Sequence, residues 1–266
     1  MRRSMLLGLV ASVMLVVSAA MAASAFAAAA NPEFFVEGAS LTSGAEVQAS
    51  ATTNQVLKAP SITIECTTLS ITSGSQLLPG GLNEESLIYT GCGVPGKANC
   101  KVRSERGGVE APVGTIETEA LDSELVYKNK SGAEKEEGTQ TGTLFRPASG
   151  TLFTRIVVGP SGSCPLGTAG THEVKGEVLV ENEASEAEAA SHTLTAPTAA
   201  LKHYWLNNEE LGGTEEHSVS TLTVTAFGSS TYSGSSIAKM GSEEEWHVGP
   251  TETHECMPQT KEEPGF

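Results

Sequence analysis

Six histidines are the side chains in this sequence best suited to acid–base or metal chemistry. Hydrolysis by a serine triad requires a nucleophile on a sharp turn, typically Gly-x-Ser-x-Gly, together with a histidine and an acid. The sequence has no Gly-x-Ser-x-Gly, and Ser161 lies in a Gly-Pro-Ser-Gly segment without a following helix pattern. A serine hydrolase is therefore not the preferred prediction. The histidines are His172, His192, His203, His217, His247 and His254.

A metal site is the second chemistry that these histidines could support. His247, His254 and Cys256 lie close together in the sequence, with Glu245 and Glu252 beside them. Imidazole and thiolate ligands suit zinc or copper. The spacing matches no zinc-finger pattern and the flanking sequence is polar, so a solvated tail is the preferred interpretation and a metal site the alternative. No cofactor is predicted.

His203, Tyr204 and Trp205 form an aromatic cluster on a predicted strand. Tryptophan is scarce in this sequence, so Trp205 and Trp246 are expected to be structural anchors. Packing in the core or at a sheet edge is the preferred interpretation of the cluster. An exposed aromatic platform that binds a carbohydrate is the alternative.

Glutamate supplies nearly all of the acidic side chains. Asp122 is the only aspartate, so calcium loops built on closely spaced aspartates are not predicted. Glycoside hydrolysis needs two carboxylates about 5 to 10 Å apart, one of them in an apolar pocket. Glutamate is so frequent here that spacing selects no pair, and runs such as residues 243–245 indicate a solvated surface.

Five cysteines indicate folding in an oxidising compartment, where disulfides are the rule. Cysteines on neighbouring strands can meet across a sheet, which favours a bond between Cys66 and Cys92 and leaves Cys100 to reach Cys164. A local bond between Cys92 and Cys100 is the alternative. Cys256 is then left without a partner.

Residues 1–30 have the pattern of a signal peptide for export. Arg2 and Arg3 give a basic start, an apolar stretch follows, and Ala-x-Ala frames extend from Ala25 to Ala30. The uncharged run is long enough to consider an uncleaved anchor. Its alanine-rich second half and the lack of a following charge cluster favour cleavage.

The sequence is acidic, with 16 basic and 32 acidic residues and a net charge of −16. Loss of Arg2 and Arg3 with the signal peptide would make the charge −18. Nucleic acid is not a predicted partner, because its phosphates would be repelled. Such acidity is typical of solubility in an extracellular medium. No later segment is apolar enough to predict a membrane span in the mature chain.

Short β-type segments separated by Gly, Ser, Thr and Asn dominate residues 31–250. They predict one all-β domain, an antiparallel β-sandwich or an irregular β-barrel that carries disulfides. Residues 181–191, rich in Glu and Ala, predict either two turns of helix or a linker that would divide the domain. Residues 251–266 are predicted to be a flexible polar tail.

Two segments are predicted to form single strands. Residues 61–72 alternate in polarity with one slip, which predicts a β-bulge near Thr67 and Thr68. Residues 173–180 alternate valines with charged residues, which predicts a strand with the valines inward. Between Lys128 and Gly142 the composition predicts a long exposed hairpin loop.

Several short motifs are distributed between residues 33 and 248. They are Val36-Glu37-Gly38, Ile62-Thr63-Ile64-Glu65-Cys66, Tyr89-Thr90-Gly91-Cys92, Gly114-Thr115-Ile116-Glu117-Thr118, Leu144-Phe145-Arg146-Pro147 and Val174-Lys175-Gly176. Their order resembles a family of exported β-rich proteins of soil actinobacteria of the Solirubrobacter kind. The resemblance implies an extracellular or cell-envelope location. It implies no activity, ligand or catalytic residue.

These patterns together predict an exported, non-catalytic binding or structural module. Recognition is expected to use loops and sheet edges on a rigid scaffold, with a cell-surface glycan or protein as the partner. An extracellular hydrolase acting on polysaccharide or ester is the alternative. A cleft with convergent glutamates, or a serine–histidine contact, would favour the hydrolase.

Overall fold

The computed structural model describes residues 31–128, 141–183, 187–208 and 213–250. In these ranges the chain forms strands, turns and one short 3-10 turn at Pro79–Gly81, and it contains no α-helix. The all-β prediction is confirmed. The predicted signal peptide, the predicted tail and residues 129–140 of the predicted loop lie outside the described residues.

The described residues form 24 strands. In chain order they are β1 (Pro32–Val36), β2 (Ala39–Ser40), β3 (Ala45–Ala51), β4 (Gln55–Ala59), β5 (Ile62–Cys66), β6 (Thr68–Ile71), β7 (Gln76–Leu78), β8 (Leu82–Glu85), β9 (Leu87–Thr90), β10 (Lys101–Arg106), β11 (Val109–Glu110), β12 (Ile116–Glu117), β13 (Leu121–Tyr127), β14 (Thr141–Pro147), β15 (Leu152–Gly159), β16 (Gly170–Lys175), β17 (Val178–Glu183), β18 (Ser191–Ala196), β19 (His203–Asn208), β20 (Gly213–Ser218), β21 (Thr223–Val224), β22 (Gly228–Ser229), β23 (Thr231–Met240) and β24 (Trp246–Pro250).

Eight of these strands close into a barrel. The order around it is β14-β17-β18-β23-β3-β7-β8-β13, and β13 pairs with β14 to complete the ring. Every pair in the ring is antiparallel. Of the two predicted all-β architectures, the structure has the barrel, which leaves no unpaired edge in the ring.

The other strands form smaller sheets. A six-stranded sheet has the order β11-β10-β15-β16-β21-β22, and two three-stranded sheets have the orders β12-β9-β6 and β2-β1-β24. β4 pairs with β5 and with the start of β23. The β19–β20 hairpin joins the barrel through one pair, Tyr127↔Trp205.

β23 belongs to the barrel and to the strands outside it. Its first part pairs with β4, and its last part pairs with β3 inside the ring. Between the two parts, Gly234 has a φ of 150° and the side chain of Gln55 lies against it. Gln55 Nε2 donates hydrogen bonds to the carbonyl oxygens of Thr53 (2.8 Å) and Ser235 (2.9 Å). The amide therefore fills the space where the strand changes partners.

Both segments predicted as single strands are instead divided between two sheets. β5 ends before Thr67 and pairs with β4, whereas β6 pairs with β9, so the predicted bulge is a change of sheet. β16 and β17 are separated at Gly176, whose φ is 115°. β16 pairs with β15 in the six-stranded sheet, and β17 pairs with β14 in the barrel. The valines keep their alternation across Gly176, so the pattern did not reveal the break.

The predicted helix or linker at residues 181–191 is strand at both ends. β17 continues through Glu183 and β18 begins at Ser191. Residues 184–186 lie outside the described residues. Of its described glutamates, Glu181 is half-buried and Glu183 and Glu188 are exposed, which explains a composition that suggested solvation.

Gly176→Ala is expected to lower the free energy of unfolding by about 2 kcal/mol, because the site combines backbone strain with a close approach. A Cβ atom there would lie 2.6 Å from the carbonyl oxygen of Thr221 and 2.8 Å from that of Ser220. Gly228→Ala is the matched control, since Gly228 also has a positive φ (84°) but no heavy atom within 4 Å of the added Cβ. We expect the control to lose about 1 kcal/mol of its free energy of unfolding. Urea denaturation measures the stability of both variants. Equal losses of stability would show that the close approach to Thr221 adds no cost beyond the positive φ.

The buried apolar residues form three clusters. One joins barrel side chains such as Leu125 and Met240 to Phe34 and Trp246 of β1 and β24. The largest joins the other part of the barrel to the six-stranded sheet and to β5, β6 and β9. The third lies on the outer wall of the barrel, where Tyr204 of the β19–β20 hairpin covers the side chains of Val126, Leu144 and Leu179.

Two disulfides connect the strands outside the barrel. Cys66, at the end of β5, is bonded to Cys92, which follows β9. Cys100, before β10, is bonded to Cys164 in the loop between β15 and β16. This is the connectivity that the sequence analysis favoured over a bond between Cys92 and Cys100. Cys256 lies outside the described residues.

The two disulfides are compatible with an extracellular location, because such bonds persist in oxidising compartments. Within the part of the chain that the structure describes, no helix has the length and apolar character needed to cross a membrane.

Candidate functional site

The barrel encloses a cavity of about 80 Å³. Side chains alternate between the two faces of a strand, so every second residue of a barrel strand points inward. Most of the wall is apolar, and it includes Val47, Leu77, Leu125, Val180 and Ala238. Since one water needs about 10 to 15 Å³ of such space, the cavity has room for several waters or one small organic molecule.

Side chains from the smaller sheets cover the two ends of the barrel. Phe34 and Trp246, from β1 and β24, pack against the barrel residues of one end. Leu69, Leu87 and Tyr89, from β6 and β9, pack against those of the other end. The cavity is therefore lined by the barrel and by two caps that the chain supplies itself.

A polar row crosses the wall on β8 and β13. Asn83 Nδ2 donates a hydrogen bond of 2.9 Å to Ser123 Oγ, and Ser123 Oγ donates one of 2.7 Å to Glu85 Oε1. Asn83 and Glu85 are two residues apart, and therefore on the same face of β8. Ser123 is directly opposite Asn83 on β13. Asn83 and Glu85 thus line one side of a mainly apolar cavity, and the buried Ser123 hydroxyl connects them.

Among the described residues, the Glu85 carboxyl group has no basic partner. Burial raises the pKa of Glu85 from 4.5 to about 7, against a smaller lowering by the hydrogen bond from Ser123. Its side chain keeps some accessible surface because it faces the cavity. No lysine or arginine lies in the wall formed by the described residues. The charged form of Glu85 is thus poorly stabilised by the protein alone.

A second polar row lies on β14 and β17, the strands that follow β13 in the ring. Thr143 Oγ1 donates a hydrogen bond of 2.9 Å to Asn182 Oδ1, and Asn182 Nδ2 donates one of 3.4 Å to Thr141 Oγ1. His192 Nε2 donates to the carbonyl oxygen of Trp246. Burial is the main cause that lowers the pKa of His192, so this ring is neutral near pH 7.

Two polar atoms in the wall have no hydrogen-bond partner among the described residues. They are Asn83 Oδ1, in a side chain that is 8% exposed, and Trp246 Nε1, in one that is 3% exposed. Both residues line the cavity. Native proteins pair nearly all buried polar atoms with protein or with bound molecules. The residues that line the cavity therefore include one unpaired acceptor and one unpaired donor, both buried.

Two tyrosines lie between this cavity and a second one of about 50 Å³. Tyr89 donates a hydrogen bond of 3.4 Å to Tyr232, and Tyr232 donates to Gln55 Oε1. Burial raises the pKa of Tyr232 to about 12 and that of Tyr89 well above 10.0. Both rings stay neutral at ordinary pH and add hydroxyl groups to the apolar wall.

The predicted aromatic cluster lies on β19, away from the cavity. Tyr204 is buried and stacks on His217 with ring centroids 5.0 Å apart. His203 is exposed, and its Nδ1 lies 3.2 Å from Glu216 Oε1. Trp205 is half-buried, and adjacent residues of a strand face opposite sides. The three side chains therefore do not form one flat platform.

Only one member of the predicted metal cluster belongs to the described residues. His247 stacks on Phe35 with centroids 4.8 Å apart, and its Nδ1 lies 3.8 Å from Glu188 Oε1. His254 and Cys256 lie outside the described residues. Within the described ranges, no group of three or more His, Cys, Asp and Glu side chains is placed to hold a metal ion.

Sequence analysis missed Asn83, Glu85 and Ser123. The sequence analysis singled out no strand after Pro79-Gly80-Gly81, where the structure has β8. A signal was present in the period-two series that continues from Asn83 and Glu85 to Leu87 and Tyr89, all of which line the cavity. The series was not recognised because two of its inward positions, Asn83 and Glu85, are polar.

The comparisons with known proteins give no match: no protein-family model, no curated protein and no solved structure matches this chain.

Proposed function

We propose that this chain is an exported, non-catalytic binding protein whose barrel takes up a small molecule in its interior. The observation that carries the proposal is a mainly apolar cavity whose wall contains unpaired polar atoms of Asn83 and Trp246. A buried polar group without a partner costs about 1 to 3 kcal/mol. A bound molecule that pairs with these atoms would offset that cost. Recognition then uses the barrel interior in addition to loops and sheet edges.

The hydrolase alternative has less support from the same cavity. Glycoside hydrolysis uses two carboxylates, and Glu85 is the one carboxylate in the described part of the wall. A serine triad needs a histidine beside the serine, but Ser123 donates to Glu85 and His192 donates to the backbone of Trp246. Binding without chemical conversion is the simpler use of these residues.

Export is part of the proposal. It is supported by the signal-peptide pattern of residues 1–30, by the two disulfides and by the acidic composition. The same features suit an extracellular or cell-envelope location. N-terminal sequencing of protein recovered from the medium or the envelope tests this, and a chain that retains Met1 inside the cell would contradict it.

Ala49→Leu is expected to weaken uptake of small neutral molecules by the barrel. Ala49 lines the cavity on β3, opposite Ala238 of β23, so an isobutyl group in place of its methyl would project into the cavity and take up part of its volume. Ligand-observed NMR with isobutanol and butanone as probes should show binding to the wild type and a loss of about tenfold or more in the variant.

Ser50→Leu is the matched control, because Ser50 is the next residue of β3 and is exposed on the outer face. It should leave probe binding unchanged. Circular dichroism checks that Ala49→Leu is folded. If it is not, Ala238→Val, which adds a smaller group to the same cavity, replaces it. Binding that persists equally in both filling variants, or no binding of any probe to the wild type, would overturn the proposed function.

A further inference from the structure

We propose that the barrel cavity selects small organic cations, namely a primary ammonium group on a compact apolar body, bound against Glu85 and Asn83. This inference rests on the proposed function and names the class of molecule that the cavity takes. It follows from the charge, the hydrogen-bonding groups and the apolar surface of the wall.

The charge of the wall favours a cation. Glu85 is the one acidic side chain among the described lining residues, and no lysine or arginine lies beside it. Its hydrogen-bond donor, Ser123, is uncharged. A carboxylate that is removed from water without a counter-ion is strongly disfavoured. A bound ammonium group would supply the missing positive charge, whereas an anion would be repelled.

The hydrogen-bonding groups at Glu85 favour a molecule with several donors. The Ser123 hydroxyl uses its one proton on Glu85 Oε1 and accepts from the Asn83 amide. Among the described residues this leaves Asn83 Oδ1 without a donor, and Glu85 accepts a hydrogen bond at Oε1 alone. An ammonium group carries three donors and no acceptor. An alcohol of the same size brings one donor, and a carboxylate brings none.

The rest of the cavity favours a hydrocarbon body. Leu77 and Leu125 lie beside the polar row, and Val180 and Ala238 also line the cavity. These side chains offer no hydrogen bonds, so a polar or branched hydroxylated molecule such as a sugar would lose its hydration without replacement. The volume of about 80 Å³ sets the scale at a short alkyl chain.

The charge on Glu85 makes this binding depend on pH. The other titratable groups in the wall are Tyr89 on β9, His192 on β18 and Tyr232 on β23. The tyrosine pKa values are raised and that of His192 is lowered, so all three are neutral near pH 7. Burial raises the pKa of Glu85 to about 7, so cation affinity should rise with pH through that region.

The test is calorimetric titration of the folded protein with butylammonium, butanol and butyrate, which share one body and differ in charge. At about pH 8, butylammonium should bind about tenfold or more tighter than butanol, and butyrate should not bind. Glu85→Gln keeps the shape of the side chain and removes its charge. It should weaken the affinity for butylammonium about tenfold and leave the affinity for butanol within about twofold of the wild-type value.

Glu84→Gln is the matched control, because it removes the same charge one residue earlier in β8, at an exposed position. It should leave all three titrations unchanged, which separates cavity binding from attraction to the acidic surface. Equal binding of butanol and butylammonium, or equal losses in the two variants, would overturn the inference while the proposed function stands. If none of the three molecules binds, both fail.

Discussion

Replacement of Glu85 by glutamine is expected to raise the free energy of unfolding by about 3 kcal/mol at about pH 8, and by almost nothing at about pH 4. The cause is the buried carboxyl, whose pKa rises from 4.5 in the unfolded chain to about 7 in the barrel. At low pH both states are protonated, and glutamine resembles the neutral acid that the barrel accommodates.

The direction follows from proton binding. As the pH rises above 4.5, the unfolded chain releases the proton of Glu85, while the folded chain keeps it until the pH passes about 7. The stability that this group contributes is therefore present at low pH and is lost as the pH rises through that window. In Glu85→Gln this loss is absent, so the two stability curves should separate between the two pKa values and remain apart above them.

Urea denaturation at several pH values between about 4 and 8 measures this separation. Glu84→Gln should follow the wild-type curve, since Glu84 is exposed on the outside of the same strand. Parallel curves for the wild type and Glu85→Gln would show that the Glu85 carboxyl titrates as in water. A separation would show that the protein keeps, at a cost in stability, a charge that its own side chains do not compensate.

Removal of the bond between Cys100 and Cys164 is expected to have the largest effect on stability. The two cysteines are 64 residues apart, and the loop that they close lowers the entropy of the unfolded chain. The double variant Cys100→Ala, Cys164→Ala should lose about 4.3 kcal/mol on the chain-entropy estimate. The corresponding change at Cys66 and Cys92, which are 26 residues apart, should lose about 3.5 kcal/mol.

Thermal and urea unfolding of the two double variants measure these losses. A domain has a free energy of unfolding of about 5 to 15 kcal/mol, so a variant that lacks both bonds should lose about half of it or more. Cys256→Ala is the control, since Cys256 belongs to neither bond, and its stability should be that of the wild type. A loss in the control equal to that of the double variants would contradict the assigned connectivity.

The strands and their cysteines could be predicted because their signals are local. Short β-type segments were predicted across residues 31–250, and the described residues of that range form strands with turns between them. The spacing of Cys66 and Cys92 on two such segments was enough to favour their bond. Local patterns carry this information because side-chain alternation and turn residues act over a few positions.

Closure of the ring could not be predicted in the same way. It depends on pairings such as that of β13 with both β8 and β14, and on the break at Gly176, which sends β16 and β17 to different sheets. These choices are made between residues far apart in the sequence. The cavity residues were hidden for a related reason, since Asn83 and Glu85 resemble solvated turn residues until the ring places them inside.

The double membership of β23 has a consequence for how the protein opens. The same strand is held by β18 and β3 in the ring and by β4 outside it. Because its pairings connect the ring to the strands outside it, we expect its amide protons to be among the slowest to exchange with solvent deuterium. The ring and the strands outside it should then unfold as one cooperative unit, and β23 should be the last strand to lose its hydrogen bonds.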